Sequence, residues 1–406
     1  MPRADLQQAS QQRASYAQRV ELLRAFMAQI FDDIESSDRE FAKLCEAVVR
    51  DGWPAEMARQ GMLFGQKTWQ IDVITGAFEA EMMCFGGVAA LEGASGSHRI
   101  TRPESVVHIW PALPGAGLTP VFYGALLGAP QWIRPSRRGR HFAEYIAQRW
   151  PQEAAPLGLL ASGDAWDFAD ITVVSGSDET VAEVRDIVAK SGAGRRKIVT
   201  GYGHRVSFCV LVDGPTMALG EWAKSVATDT VMWHQMGCFS PRAVLFVGAP
   251  ERLAEFGELL GAAIAREESR LGATDMNAAE LAQRAQARGV AEFRTEIWGD
   301  GIGWVERSDQ PFRGERIAAH TVSLHPVASL DELPKMLDIL PQHVQGVALA
   351  APDAQFGAWA DALCAAGATR ICAPGRLQSP DGDWPHDGRP NTLDWVRATH
   401  LPGHTS

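Results

Sequence analysis

The chain has 406 residues, with 38 basic and 49 acidic side chains and a formal charge of −11. Hydrophobic residues make up 46% and charged residues 21%, too apolar for intrinsic disorder and long enough, at ~150 residues each, for two to three domains. The acidic balance argues against a nucleic-acid scaffold or a protein held on an anionic membrane, because both need clustered positive charge.

No apolar run approaches the ~20 residues that span a bilayer. The start, Met1-Pro2-Arg3-Ala4-Asp5, lacks the apolar core of a secretory signal. The cysteines Cys45, Cys84, Cys209, Cys238, Cys364 and Cys372 form no CxxC pair and are too scattered for a disulfide scaffold or a structural zinc. The expectation is a cytoplasmic protein with reduced thiols, no metal, no nucleic acid and no membrane.

In chain order, residues 15–65 read as helices, as does Glu79–Ala90, and Gly93-Ala94-Ser95-Gly96-Ser97 reads as a loop. Strands and helices then alternate. Ser105–Trp110, Gln131–Ile133 and Ile171–Val174 are strands, and Gly117–Leu127, Arg138–Arg149 and Asp178–Lys190 are helices. Ser177 or Asp178 is the N-cap of the last helix, and Arg196–Thr200 with Val206–Val212 completes the set.

Short apolar strands between amphipathic helices predict a doubly wound α/β domain with a mostly parallel sheet. Helices dominate from Thr216 to Arg288 around a strand at Ala243–Val247. Further strands are predicted at His320–Leu324, Gly346–Ala350 and Thr369–Cys372, giving a second α/β domain. The turn cluster Val212-Asp213-Gly214-Pro215 separates the two. The expected organisation is a helical segment over 1–100, a nucleotide-binding domain over 101–213 and a catalytic domain over 214–376. A loop-rich tail over 377–406 wraps another part of the fold.

The strongest chemical signal is Trp233-His234-Gln235-Met236-Gly237-Cys238-Phe239-Ser240-Pro241. A helix beginning near Trp222 breaks here at Gly, Cys and Ser-Pro. A thiol at such a break faces a cleft with backbone amides beside it. Those amides lower a thiol's pKa and donate to an oxyanion formed on attack at a carbonyl. The bland alternative for Cys238 is a small buried hydrophobe.

Several ordered motifs together resemble the LuxC-type acyl-CoA reductases of the aldehyde dehydrogenase superfamily. They are Val107-His108-Ile109 with its continuation through Leu118, Trp132-Ile133-Arg134-Pro135-Ser136 and Gly176-Ser177-Asp178-Glu179-Thr180. Gly201-Tyr202-Gly203-His204-Arg205, the Gln235-x-Gly237-Cys238-x-Ser240-Pro241 run and His386-Asp387-Gly388 follow, spanning roughly residues 100–400.

The resemblance implies an aldehyde-dehydrogenase-like fold of two doubly wound α/β domains, with the active site in the cleft between them. It implies that Cys238 accepts the acyl group of a thioester, CoA or carrier thiol leaves, and a nicotinamide reduces the acyl-enzyme to an aldehyde. His234 and Gln235 are the catalytic candidates beside Cys238. Four residues separate His234 from Cys238, one turn if the helix persists that far. Superfamily members carry a Glu for hydrolysis in the motif that here reads Gly201-Tyr202-Gly203-His204-Arg205, without a carboxylate. Slow hydrolysis would follow, favouring exchange with a thiol or hydride. His204 more readily holds that turn than acts in catalysis.

The cofactor candidates lie after strands, where open α/β sheets bind ligands. They are Pro111 and Ala112, Arg134 and Ser136, Gly176 and Ser177, and Gly201, Tyr202 and Gly203. Superfamily members place Lys at Arg134. An Arg there, with Arg137, Arg138 and Arg140 nearby, suits the 2′-phosphate of NADPH, with NADH as the other possibility. Neither a GxGxxG nor a P-loop marks a strand-to-helix turn. The superfamily's oxyanion Asn is absent: Ala112 or Leu113 stands in its place.

Implied partners are an acyl-CoA or acyl-carrier thioester, an acyl-protein synthetase and further copies of the chain. Two alternatives stay open: oxidation of an aldehyde to the acid, and a non-catalytic member of the fold acting as a partner subunit.

Overall fold

The computed structural model describes residues 14–37, 39–94, 97–161, 168–191, 196–214, 218–273 and 278–402. Ser95, Gly96, Pro215 and Thr216 of the expected loop, boundary and helix start lie outside these, as do residues 1–13. Close contacts divide the chain into two units. One is drawn from Met1–Trp53, Met62–Gly203 and Asp381–Ser406, the other from Pro54–Gly61 and His204–Pro380.

In the first unit, β1 (His98–Thr101) stands apart from β2 (Val106–Trp110), β3 (Gln131–Pro135), β4 (Leu157–Leu159), β5 (Ile171–Ser175) and β6 (Ile198–Tyr202). The last five form one sheet in the order β4-β3-β2-β5-β6, with every pairing parallel. The chain runs outward from β2 to β4 on one side and returns to β5 and β6 on the other, so the direction of travel switches between β2 and β5. A crevice opens at such a point beyond the carboxyl ends of the strands. Val107, Trp132 and Val174 from the sheet pack on Val181, Val184 and Val188 of the helix Asp178–Lys190. Ser177 caps that helix by accepting from the Thr180 N–H at 3.3 Å, as its sequence position predicts.

His108, in the middle of β2, is a core residue. It is fully buried, its Nε2 lies 2.7 Å from Gln131 Oε1, and burial pushes its pKa down to about 4, so the ring is neutral.

The tail of the sequence completes this unit. Glu81, on the helix Ile71–Met82, accepts from the Asn391 N–H at 2.6 Å and from the Thr392 N–H and hydroxyl at 2.8 and 2.6 Å. Trp395 Nε1 donates to Thr200 Oγ1, and Arg196 donates to the Trp395 carbonyl. The strand β14 (Arg397–His400) then pairs antiparallel with β1. The wrapping tail foreseen in the sequence thus includes one strand that its polar composition hid.

The second unit is built on seven strands: β7 (Val206–Val212), β8 (Pro241–Val247), β9 (Ile297–Trp298), β10 (Val305–Arg307), β11 (Val322–Val327), β12 (Val344–Ala350) and β13 (Arg370–Cys372). Their order is β13-β12-β7-β8-β11-β10-β9, parallel except for β9 against β10. Val206–Val212, expected to complete the first series of strands, therefore belongs to the second sheet. All seven of its residues are buried, the continuous apolar pattern of a strand covered on both faces. Helices Leu219–Val231, Pro250–Leu271, Ala278–Arg294 and Asp353–Ala365 accompany the sheet. No helix among the described residues is long and apolar enough to cross a membrane.

Candidate active site

The helix that precedes Cys238 stops at Val231. Trp233, His234 and Gln235 follow with φ of +55°, +52° and +56°. Three successive side-chain-bearing residues in the left-handed region cost roughly 1–2 kcal/mol each, so tertiary contacts must hold them. Trp233 lies against Gly61, where a β-carbon would come within 2.0 Å of the indole. The His234 ring stacks on His320 at 5.5 Å between centroids, and its carbonyl accepts from Arg316 Nη2 at 3.0 Å. The buried Gln235 carboxamide donates to the carbonyls of Pro241 and Thr321, both at 2.9 Å, and accepts the Thr321 N–H at 3.2 Å.

The expectation that the helix carries His234 and Cys238 on one turn is therefore corrected. The left-handed run breaks the helix, and the two residues are not helical neighbours. Gln235 has both ends of its amide engaged by backbone, which makes it a clamp between the entries of β8 and β11.

Cys238 sits at the head of a tight turn closed by the Ser240 N–H donating to the Gly237 carbonyl at 3.0 Å. It is partly exposed, whereas Cys209 is buried in β7. The Ser207 hydroxyl donates to the Cys238 carbonyl at 2.7 Å and accepts the Gly346 N–H at 3.1 Å. Phe239 packs on Gly346, whose absent β-carbon would lie 2.9 Å from the ring.

Behind the turn, Gln378 Nε2 bridges Ser240 Oγ and the Asp229 carbonyl, and the Asp229 carboxylate accepts the Gly375 N–H at 2.7 Å. Burial pushes the Asp229 pKa up to about 7, against the backbone donors that pull it down.

Residues that the sequence did not single out complete the surroundings. Glu268, buried on the helix Pro250–Leu271, accepts from the Ile302 N–H at 2.9 Å and the Gly303 N–H at 2.6 Å, and its Oε1 lies 2.8 Å from His320 Nδ1. Arg242 Nη1 donates to the Gly314 carbonyl at 2.6 Å and lies 3.4 Å from His204 Nε2. An Arg opening an apolar strand directly after Ser-Pro was the available signal for Arg242. Nothing local marks Glu268 or His320.

The nucleotide candidates of the first unit fall on one edge of its sheet. Register places Ile109 beside Arg134 and Val174, and Val174 beside Gly201. Pro111–Ala112, Arg134–Ser136, Gly176–Ser177 and Gly201–Gly203 thus lie at or just beyond the carboxyl ends of four adjacent strands. Among the described residues the buried Ser136 Oγ has no hydrogen-bond partner there, an orphan that a ligand hydroxyl or phosphate oxygen would satisfy. Gly139 approaches the Pro111 carbonyl closely enough that a β-carbon would lie at 3.1 Å. This edge fits a dinucleotide.

Its parts are not equal. Asp178 and Glu179 occupy the first turn of the helix after Ser177 and already offset the positive end of its dipole, so Gly176–Ser177 offers close backbone rather than charge. A β-carbon on Gly201 would come within 2.4 Å of Val181 Cγ1, and the Gly201 carbonyl accepts from Arg389 at 3.0 Å. The Tyr202 ring stacks on His386 at 3.7 Å with the Arg389 guanidinium 5.4 Å from its centroid, and burial pushes its hydroxyl pKa up. Packing explains Gly201 and Tyr202, and the tail covers them.

Among the arginines, Arg138 stacks on Trp53 at 4.3 Å and donates to the Gly52 carbonyl, and Arg140 pairs with Glu144. Arg134, near the end of β3, and the exposed Arg137 are the other basic groups at this edge.

The fold is that of the aldehyde dehydrogenases. The chain is similar to an NAD-dependent benzaldehyde dehydrogenase from Corynebacterium glutamicum, with a TM-score of 0.69 and 13% identity over 98% of this chain and 88% of that one. It is also similar to aldehyde dehydrogenase C from Pseudomonas syringae in complex with NAD+ and octanal, with a TM-score of 0.64 and 15% identity over 99% and 89%. An oxidoreductase from Marinobacter aquaeolei matches with a TM-score of 0.63 and 12% identity over 99% and 90%. No curated protein matches the sequence. The family model for acyl-CoA reductase (LuxC) matches residues 162–398, a span that holds Gly176–Thr180, the turn at Cys238 and the tail that covers Tyr202. With more than half of its length in that match, the chain belongs to the LuxC acyl-CoA reductase family.

Proposed function

We propose that this protein reduces an acyl thioester to an aldehyde with NADPH, and that Cys238 carries the acyl group between the two half-reactions. The observation that carries the reading is the Cys238 turn itself. A partly exposed thiol is held at a fixed orientation by Ser207 and by the left-handed run before it, in a chain of the acyl-CoA reductase family.

The Cys238 thiolate attacks the thioester carbonyl carbon. A new carbon–sulfur bond forms, the old one breaks, and the carrier thiol leaves as a thiolate that takes up a proton. Because one thioester replaces another, the step is close to thermoneutral and asks for a poised thiol more than for a strong base. Bound along the edge formed by Pro111, Ala112, Arg134, Ser136 and Gly176, the nicotinamide cofactor supplies the hydride for the second half-reaction. Arg134 and Arg137 suit the extra phosphate of NADPH through charge-assisted hydrogen bonds.

Glu268 favours reduction over release of a free acid. It is the carboxylate connected to the site through His320 and His234, yet both its oxygens are engaged by the Ile302 and Gly303 amides and by His320. A carboxylate so committed is not offered to a hydrolytic water. The acyl group arrives on the thiol of coenzyme A or of a carrier protein.

Intact-protein mass spectrometry after incubation with a series of acyl-CoAs tests the proposal. It expects one acyl adduct mapping to Cys238, discharged by NADPH with release of aldehyde. A Cys238→Ala variant that still forms the adduct or keeps full reductase activity overturns it.

A further inference from the structure

A histidine that merely fills a core needs no carboxylate beside it and no backbone strain. His320 has both. It is fully buried, just before the start of β11, and its φ is +57°, in the left-handed region that a side-chain-bearing residue enters at a cost. Its Nδ1 lies 2.8 Å from Glu268 Oε1, and among the described residues its buried Nε2 has no hydrogen-bond partner. A phenylalanine or leucine would fill such a volume without an orphaned nitrogen or a buried acid.

What the arrangement secures is orientation. The Ile302 and Gly303 amides donate to Glu268 at 2.9 and 2.6 Å, so its carboxylate is fixed before it takes the Nδ1 proton of His320 as a third hydrogen bond and sets the plane of the ring. Gly303 lies against the His320 carbonyl with no room for a β-carbon. The helix Pro250–Leu271, the segment 301–303 and the entry of β11 thus converge on one imidazole.

The face of that ring carries His234. The two rings are 16° from parallel with centroids 5.5 Å apart, an offset stack. His234 is the middle one of the three left-handed residues that lead to Cys238. Thr321, next to His320, holds Gln235, next to His234, through its N–H at 3.2 Å and its carbonyl at 2.9 Å. Two consecutive residues of one segment therefore grip two consecutive residues of the other. The Gln235 carboxamide also donates to the Pro241 carbonyl and so closes the loop 235–241 that presents Cys238.

We propose that His320, oriented by Glu268, is a positioning residue for Cys238: its ring is the fixed surface on which His234 stacks, and that contact holds the left-handed run that aims the thiol. The inference rests on Cys238 being the acyl acceptor. It gives His234 a part played by the face of its ring rather than by a ring proton. Attack on a thioester carbonyl needs the sulfur aligned as well as exposed, so loosening the run slows acyl transfer.

Hydrogen exchange of the full-length protein, followed by mass spectrometry, reads the run without substrate or cofactor. The reporting peptide spans residues 232–240, whose Met236 and Ser240 amides donate to the Trp233 and Gly237 carbonyls. His320→Ala and His234→Ala are each expected to speed its exchange by about three- to tenfold, the scale of one lost aromatic contact, while peptides from β7 and β12 stay as in wild type. His234→Phe restores the protection that His234→Ala loses, and the double alanine variant exchanges no faster than either single one. Acylation of Cys238 in His320→Ala, by whichever acyl-CoA labels the wild type, slows by about tenfold.

A folded His320→Ala protein with wild-type exchange over 232–240, or with wild-type acylation despite faster exchange, overturns the assignment. Faster exchange spread evenly over β7, β8 and β12 overturns it too, as the mark of a purely structural residue, and so do additive effects in the double variant. Should His320→Ala not fold, wild-type exchange in His234→Ala overturns it equally. If no acyl-CoA labels the wild type while the exchange responds as expected, the thioester reading fails and the hold of His320 on the turn stands.

Discussion

The Ser207 hydroxyl donates to the Cys238 carbonyl at 2.7 Å and accepts the Gly346 N–H at 3.1 Å, so one buried side chain ties β7 and β12 to the turn that presents the thiol. Replacing Ser207 by Ala removes both bonds and leaves a backbone donor and acceptor in need of partners. The expected cost is ~1–3 kcal/mol, read as a lower denaturation midpoint. The rate of Cys238 acylation falls with it, because the turn loses its anchor, while the affinity for dinucleotide in the first unit is unchanged. A variant with wild-type stability and acylation contradicts the role given to Ser207.

Cofactor preference separates two arginines that look alike in sequence. Arg134→Gln is expected to raise KM for NADPH by about tenfold relative to NADH, the scale of one lost charge-assisted pair with a phosphate. Arg138→Ala leaves that ratio alone, because its guanidinium is occupied by Trp53 and the Gly52 carbonyl. Steady-state kinetics with both coenzymes decides, and an unchanged ratio in Arg134→Gln removes the argument for NADPH.

Asp229 gives a pH signature. Its folded pKa of about 7 lies well above the ordinary aspartate value, because the carboxyl is buried. As pH rises from about 4 to about 7 the unfolded chain loses this proton while the folded chain retains it, so Asp229 lowers stability across that window and the effect levels off above it. Asp229→Asn is expected to remove this decline, seen as a smaller difference between melting temperatures at about pH 5 and about pH 8. An unaltered difference shows that the carboxyl is already ionised when buried.

Much of the architecture was legible because its signals are local. The helix Asp178–Lys190 and the strand Val206–Val212 have the bounds read from sequence, the first from its Ser177 cap and amphipathic period, the second from an unbroken apolar run. The sheet to which Val206–Val212 belongs was not legible, since the central strands of both sheets are parallel and buried and the run looks the same in either. The strands β1 and β14 were missed because His98–Thr101 and Arg397–His400 are polar and largely exposed, paired by backbone rather than by an apolar face. Cys238 stood out through the Gly and Ser-Pro break around it. The left-handed run before it did not, because Trp and Gln carry no preference for positive φ, and distant contacts with Gly61, His320, Arg316, Pro241 and Thr321 help to hold the run there.

The pairing of β1 with β14 joins residues about 300 positions apart, and Glu81 waits equally long for Asn391 and Thr392. During synthesis, then, the unit that leaves the ribosome first is finished last. Its five-stranded sheet can assemble early, but the side strapped by the tail stays bare until residues 391–400 have been released. A nascent chain halted before residue 391 carries every described strand of the thiol-bearing unit and still lacks the strap, so an arrest there leaves the first unit alone incomplete.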